Sequence, residues 1–270
     1  MDRKHPFFFD HPVDHLPGNL LVAGLLDLAD DVTGGALRQP DRRMRLAFTF
    51  PAFGELDAPV ELRCEPDGET LGLTAAQPGG AAGRDICRGT LTVTAGTPLP
   101  SAAPPGHRPA VPGRAATATL DATATLEAPA EPRLVHRADE STVMAGTLTE
   151  EGPGEFTSAV LRCPKLAEPG ELRDPIEVIE AARQLILMLG HVANGHPYDS
   201  HVVWIDLEAD VPTAPPGDLP LRLRWRTPSG KARPRVAFDM CLLYGSTELG
   251  TVRLVTHTMS PAAYRKLRSA

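Results

Sequence analysis

The chain has 270 residues, 42% of them hydrophobic, with 27 Lys and Arg against 34 Asp and Glu for a formal charge of −7. That length and composition suit one large or two medium globular domains with real cores, and the acidic balance argues against nucleic acid as a partner. No apolar run reaches about 18 residues, so no membrane span is expected. The start, Met1-Asp2-Arg3-Lys4-His5, has no signal-peptide core, and the expected location is the cytoplasm. Cys64, Cys87, Cys163 and Cys241 are scattered without CxxC spacing and read as reduced core residues. No Gly-rich phosphate loop and no GxSxG elbow occur, so neither a nucleotide cofactor nor a serine hydrolase is expected.

The first informative stretch runs from His5 to Gly18, His-Pro-Phe-Phe-Phe-Asp-His-Pro-Val-Asp-His-Leu-Pro-Gly, and leads into an apolar helix over 19–30. Pro17 and Gly18 set up the helix start. Titratable groups pressed against phenylalanines at a helix N-terminus suit a reactive site, because burial and the helix dipole both move their pKa values. The same residues also suit a loop that plugs a core with its phenylalanines and exposes its histidines.

Gly34 and Gly35 break the helix, and strands are expected over 44–50, 60–65, 71–75 and 85–94, with Asp67-Gly68 marking a hairpin turn. Residues 96–113 are rich in Pro, Ala and Gly and read as linker. The Thr-alternating run 115–126 suits a weak edge strand or more linker. Further strands are expected over 133–137, 142–149, 155–163, 201–208, 219–226, 235–244 and 251–257, with a closing helix over 261–268. The domain division expected is 1–97, a linker over 98–130, and 131–270.

The best helix signal is 174–190. Asp174 can cap it and Pro175 suits its first turn. Ile176, Ile179, Arg183, Ile186 and Leu187 share one stripe, with Glu180 beside it. A carboxylate there is costly unless paired or protonated, which is how a general acid or base is tuned. A surface Glu paired one turn on fits the spacing as well. His191, His196 and His201 lack a compact carboxylate or Cys companion, so no metal site is expected.

Residues 5–18 and Glu180-Ala181-Ala182-Arg183-Gln184 together resemble the motif of the A-factor biosynthesis hotdog family, and 50–60 resembles a strand region of that family. The loop is also similar to that of hotdog dehydratases acting on hydroxyacyl carrier-protein thioesters, which places His11 at their catalytic His. The resemblance implies an α+β double hotdog, two helices each wrapped by antiparallel strands of one continuous sheet. The chain departs from the motif where Ala23 replaces its Glu and where 161–169 lacks a His. The order of halves also looks permuted. One half keeps the His and the other keeps the Glu, which implies one composite site.

On that resemblance His11 is the expected base and Glu180 the expected acid, on the order of 5–8 Å apart to leave room for a reacting group. Asp10, Asp14 and His15 are expected to orient His11. Arg183 and Gln184 are expected to support Glu180, and Arg183 at i+3 can hold it ionised. Backbone N–H groups near Gly18 are expected to polarise a thioester carbonyl. The implied activity is dehydration or cyclisation of a polyketide-type acyl thioester in secondary metabolism. The alternatives are acyl transfer of the A-factor type, a β-ketoacyl group moving to a hydroxyl acceptor such as dihydroxyacetone phosphate, and a non-catalytic acyl-binding module. No cofactor is expected, and the chain is expected to be a monomer built as a pseudo-dimer, or a homodimer.

Between Leu219 and Phe238 lie six basic residues and no acidic one. Arg222, Arg224 and Arg226 alternate with apolar residues and so share one strand face. Arginine suits a phosphate-bearing acidic partner, so an acyl carrier protein or a CoA thioester is expected to dock there. An ordinary solvated strand face fits the pattern too.

Overall fold

The computed structural model describes residues 5–78, 83–99, 128–166, 172–228 and 235–269. Ten strands form one antiparallel sheet. They are β1 (Arg42–Thr49), β2 (Glu61–Asp67), β3 (Thr70–Gln77), β4 (Arg84–Ala95), β5 (Thr149–Gly152), β6 (Glu155–Ala159), β7 (His201–Pro212), β8 (Leu221–Arg226), β9 (Arg235–Tyr244) and β10 (Thr247–Met259). Their order across the sheet is β2-β3-β4-β1-β7-β10-β9-β8-β6-β5. The first four come from the chain's first hundred residues and the other six from its second half. The two sets join where β1 pairs β7, and there Met44, Leu46 and Phe48 lie opposite Val211, Ala209 and Leu207, all buried. Period-two alternation puts those six side chains on one face.

The helices α1 (Gly18–Val32), α2 (Pro175–Val192) and α3 (Pro261–Arg268) complete the α+β double hotdog. Helix α1 lies on β2 and β3 and buries Leu21, Val22, Leu25, Leu26 and Ala29. Helix α2 starts with a full capping box. The Asp174 carboxylate accepts the Ile176 N–H at 3.0 Å, and Glu177 accepts the Asp174 N–H at 3.0 Å. An apolar stripe was the sequence expectation for α2. Instead every residue from Pro175 to Gly190 except Arg183 is buried, because the helix is enclosed by the sheet, by α1 and by the segment 130–148.

That segment is where the strand expectations fail. Residues 132–135 form a 3₁₀ turn in place of a strand, with Pro132 at its start and His136 left-handed at its end (φ 52°, ψ 50°). Residues 140–142 form a second short 3₁₀ turn, and isolated bridges follow it. The Gln184 side chain explains the lost ladder. It accepts the N–H groups of Met144 (2.6 Å) and Ala145 (3.2 Å) and donates to the Thr142 carbonyl (3.0 Å), groups that strand pairing would have used. The run 115–126, most of the 98–130 linker, and Ser229, Gly230, Lys231 and Arg233 lie outside the described residues.

Gly89 on β4 faces Phe48. A Cβ there would lie 1.9 Å from the Ala47 carbonyl oxygen and 2.5 Å from the Phe48 ring. Gly89→Ala should therefore destabilise the fold by about 1–3 kcal/mol, the usual cost of overpacking. Thermal denaturation measures it, and an unchanged midpoint would show that the sheet yields there freely.

Candidate functional site

Helix α2 places Glu180 at the centre of the molecule with no solvent exposure. Its Oε1 accepts from Arg137 Nη2 (2.6 Å), Arg183 Nη2 (2.7 Å) and Gln184 Nε2 (2.9 Å). Its Oε2 accepts from Arg183 Nε (2.8 Å) and Asn19 Nδ2 (2.9 Å). Burial alone would raise this carboxyl. The guanidiniums of Arg183 and Arg137 outweigh burial and hold it well below the carboxylate range.

Arg137 extends the network to the N-terminal loop. Its Nη1 donates to the Phe7 carbonyl at 2.6 Å and to Asp10 Oδ1 at 3.2 Å, and its guanidinium lies over the Phe7 ring. Asp10 is closed from solvent on the side-chain level. His11 Nδ1 meets its Oδ1 at 2.6 Å, and its Oδ2 lies 3.2 Å from the Ala138 N–H and 3.0 Å from the Thr142 hydroxyl. Burial raises the Asp10 carboxyl, but its bond to His11 and the Arg137 charge hold it far below the usual range. An ionised Asp10 fixes the His11 proton on Nδ1 and leaves Nε2 bare as a proton acceptor. The His11 side chain is 39% exposed.

The expected site residues therefore divide into groups. His11 and Glu180 join one hydrogen-bonded chain, but Asp10 and Arg137 stand between them, so Glu180 does not face His11 across a substrate-sized gap. Asp10 bonds His11 directly. Asp14 and His15 do not, because they bond each other (2.7 Å) and the Tyr264 hydroxyl of α3 (2.7 and 2.9 Å). Their solvent-facing stretch of loop is taken up by the C-terminal helix. Gln184 and Arg183 support Glu180. Gly18 opens α1 under Trp204, where a Cβ would lie 3.2 Å from the indole, and the helix hydrogen bonds begin at Leu20, leaving the first amides of α1 unused by the helix. Ala23 sits partly buried against the core.

Arg222, Arg224 and Arg226 do share one face of β8, with Leu221, Leu223 and Trp225 inward. Carboxylates of the neighbouring hairpin reach them, Glu151 to Arg222 (3.4 Å) and Glu155 to Arg224 (3.7 Å) and Arg226 (2.9 Å). The acidic partners were invisible in the 219–238 window because sheet pairing, not sequence, brings them there.

Asn19, Arg137 and His136 were missed from sequence. A usable signal existed for Arg137. A buried Glu needs a counter-charge, and Leu134-Val135-His136-Arg137 sets an arginine behind apolar residues. His136 bonds His191 Nε2 to Nε2 at 3.0 Å.

Glu180→Gln should cost about 3–5 kcal/mol, chiefly by stranding the buried guanidinium of Arg137 while the half-buried Arg183 also loses its carboxylate. The folded-state pKa of Glu180 is depressed, so its stabilisation is complete above the normal carboxylate range and drains as pH falls from 4.5 towards about 2. Melting curves from pH 7 to pH 3 should show a shallower acid limb in Glu180→Gln than in the wild type. Equal limbs would mean that Glu180 is not the ionised partner.

Comparison with known proteins agrees with this architecture. The dehydratase domain of the CurJ module of curacin polyketide synthase superposes with a TM-score of 0.60 at 12% identity, covering 97% of this chain and 91% of that one. The dehydratase domain of the polyketide synthase PpsC from Mycobacterium tuberculosis gives 0.59 at 16% identity, covering 96% and 91%. The bifunctional dehydratase-cyclase domain of ambruticin biosynthesis gives 0.54 at 17% identity, covering 99% and 91%. In sequence, 66 residues are 33% identical to a 2-oxo-3-(phosphooxy)propyl 3-oxoalkanoate synthase of Streptomyces virginiae. That match covers 24% of this chain and about a fifth, 21%, of the synthase. The A-factor biosynthesis hotdog domain matches residues 118–260, more than half the chain and the part that holds Arg137, Glu180, Arg183 and Gln184. With that match on a double hotdog built around the same residues, the chain belongs to the A-factor biosynthesis hotdog family.

Proposed function

We propose that the chain is an acyl-thioester enzyme of secondary metabolism in which His11 moves the proton, Asp10 orients it, and Glu180 holds the site together without reacting. The observation that carries this reading is the 2.6 Å contact between His11 Nδ1 and a buried Asp10 carboxylate, itself fixed by Arg137. His11 Nε2 would take a proton from the carbon next to the thioester carbonyl. The free amides at the start of α1 would stabilise the enolate oxygen, helped by the helix dipole. In elimination, the β-hydroxyl leaves and His11 returns the proton to it, so one group serves as base and then as acid. Glu180 is unsuited to the acid role, since a carboxylate held ionised by two guanidiniums has no proton to give.

Acyl transfer to a hydroxyl is the second reading. The family match and the synthase relative favour it. The acyl donor in either case would be a carrier-protein or CoA thioester. The arginines of β8 are the docking surface we propose for it, weakened by Glu151 and Glu155. Arg222→Glu with Arg224→Glu should reduce carrier-protein affinity and flatten its salt dependence. Affinity equal to wild type at low and high salt would remove that surface from the reading.

The direct test uses β-hydroxyacyl and β-ketoacyl N-acetylcysteamine thioesters in D₂O. Wild type should exchange the α-protons, seen by NMR, and His11→Ala should lose about 10²–10⁴-fold in that rate. Equal exchange in both proteins would overturn the role of His11 as the proton-transfer group.

A further inference from the structure

Among the described residues only one that is not glycine has a positive φ, and it is His136, next in sequence to Arg137. A left-handed backbone at a histidine is held only where the surroundings fix it, and such strain gathers at functional sites. This one closes the 3₁₀ turn over 132–135, where the Arg137 N–H reaches the Pro132 carbonyl at 2.9 Å, and its ring meets a second histidine. His191 Nδ1 lies 2.9 Å from the His196 carbonyl, so that nitrogen carries a proton and donates. In neutral His191 the other nitrogen, Nε2, must then accept, and His136 Nε2 must donate to it across their 3.0 Å contact. The tautomer of His136 follows. Its proton is on Nε2, and its Nδ1 is a bare lone pair. Among the described residues no hydrogen bond reaches that Nδ1, and His136 as a residue is half-buried.

The neutral state is well defended. Burial pushes His136 down to about 4, and Arg183 and His191 on α2, His11 on the loop and His201 on β7 push the same way. The same effects place His136 in the electrostatic reach of His11 and of the Glu180 network. The backbone of its next-door neighbour leads directly to the Arg137 side chain, which holds Asp10.

We propose that His136 is a second proton acceptor of this site, its Nδ1 receiving a hydroxyl proton of the substrate while His191 behind it takes the proton displaced from Nε2. This rests on the acyl-thioester reading and names the other reactant, a hydroxyl nucleophile. The hydroxyl O–H proton passes to His136 Nδ1, and the Nε2 proton moves on to His191. The freed oxygen attacks the thioester carbonyl, a C–O bond forms, the C–S bond breaks, and the departing thiolate takes the proton back from the histidine pair. No oxidant or reductant is needed. An Nδ1 without a proton cannot protonate a leaving hydroxyl, so this group favours hydroxyl attack over elimination.

The hydroxyl has two sources, the acyl chain itself or a separate alcohol. A δ-hydroxyacyl N-acetylcysteamine thioester, which would close to a lactone, tests the first. A β-ketoacyl thioester with dihydroxyacetone phosphate, which would give an ester, tests the second. His136→Asn tolerates the left-handed backbone and can still accept a hydrogen bond, but it cannot take the proton. It should lower kcat in the active arm by about 10²–10⁴-fold with KM little changed, while His136→Gly should lose both. Normal ester and lactone formation by His136→Asn would overturn the proposal and leave the His11 reading standing. Loss of exchange in the wild type would instead sink the His11 reading. The ¹⁵N-histidine spectrum then decides His136 independently. Neutral His136 protonated on Nε2 at pH 7, with Nδ1 shifted by the added hydroxyl probe, supports the proposal. A proton on Nδ1, or no shift, overturns it.

Discussion

The structure depends on the burial of one carboxylate. Removing Glu180 from water carries a penalty of several kcal/mol, which only close and well-aligned partners can offset. Five donors do so, and they come from three places in the chain. Asn19 belongs to α1, Arg137 to the segment after the linker, and Arg183 and Gln184 to α2 itself. Satisfying a single side chain thus fixes how the two helices meet and where the 130–148 segment lies. A buried ion pair of this kind is weak evidence for net stability. Its value here is geometric, since any other arrangement leaves a charge unpaired.

The loop that carries His11 inherits that order. Arg137 has one hand on Glu180 and the other on Asp10 and the Phe7 carbonyl, so the loop is tied from behind. From the far side α3 ties it again. The Tyr264 ring stacks on His201 at 4.0 Å, its hydroxyl bonds Asp14, and Arg268 forks onto Glu55 while reaching the Asp14 carbonyl. His11 is left as a partly exposed imidazole on a rigid support. An imidazole at the surface with its charge balance in the core is the kind of support that preorganised sites use.

Much of the fold was legible. The strands β1, β3, β4 and β7 to β10 were visible from alternation or from β-branched residues, because they turn side chains onto the core, and β2 from the Asp67-Gly68 turn that pairs it with β3. The capped start of α2 followed from Asp174-Pro175, and α3 spans the 261–268 that was expected. The errors cluster in 130–148. There the local pattern of Leu134 and Val135, or of Val143 and Met144, favours a strand, but Gln184 claims the backbone groups that a strand would pair. The roles of Asp14 and His15 failed for a related reason. Their partner, Tyr264, is about 250 positions away, and nothing in the loop announces it.

By itself the sequence determined the loop with His11 and Asp10, the buried helix with Glu180, and the family these resemble, because adjacent residues and helical spacing fix local geometry. Tertiary structure alone decided that Arg137 and Asn19 meet Glu180, that Glu151 and Glu155 answer the arginines of β8, and that His136 meets His191. Each of these is a contact between distant segments, and the ionisation of a buried group is set by what the fold brings beside it.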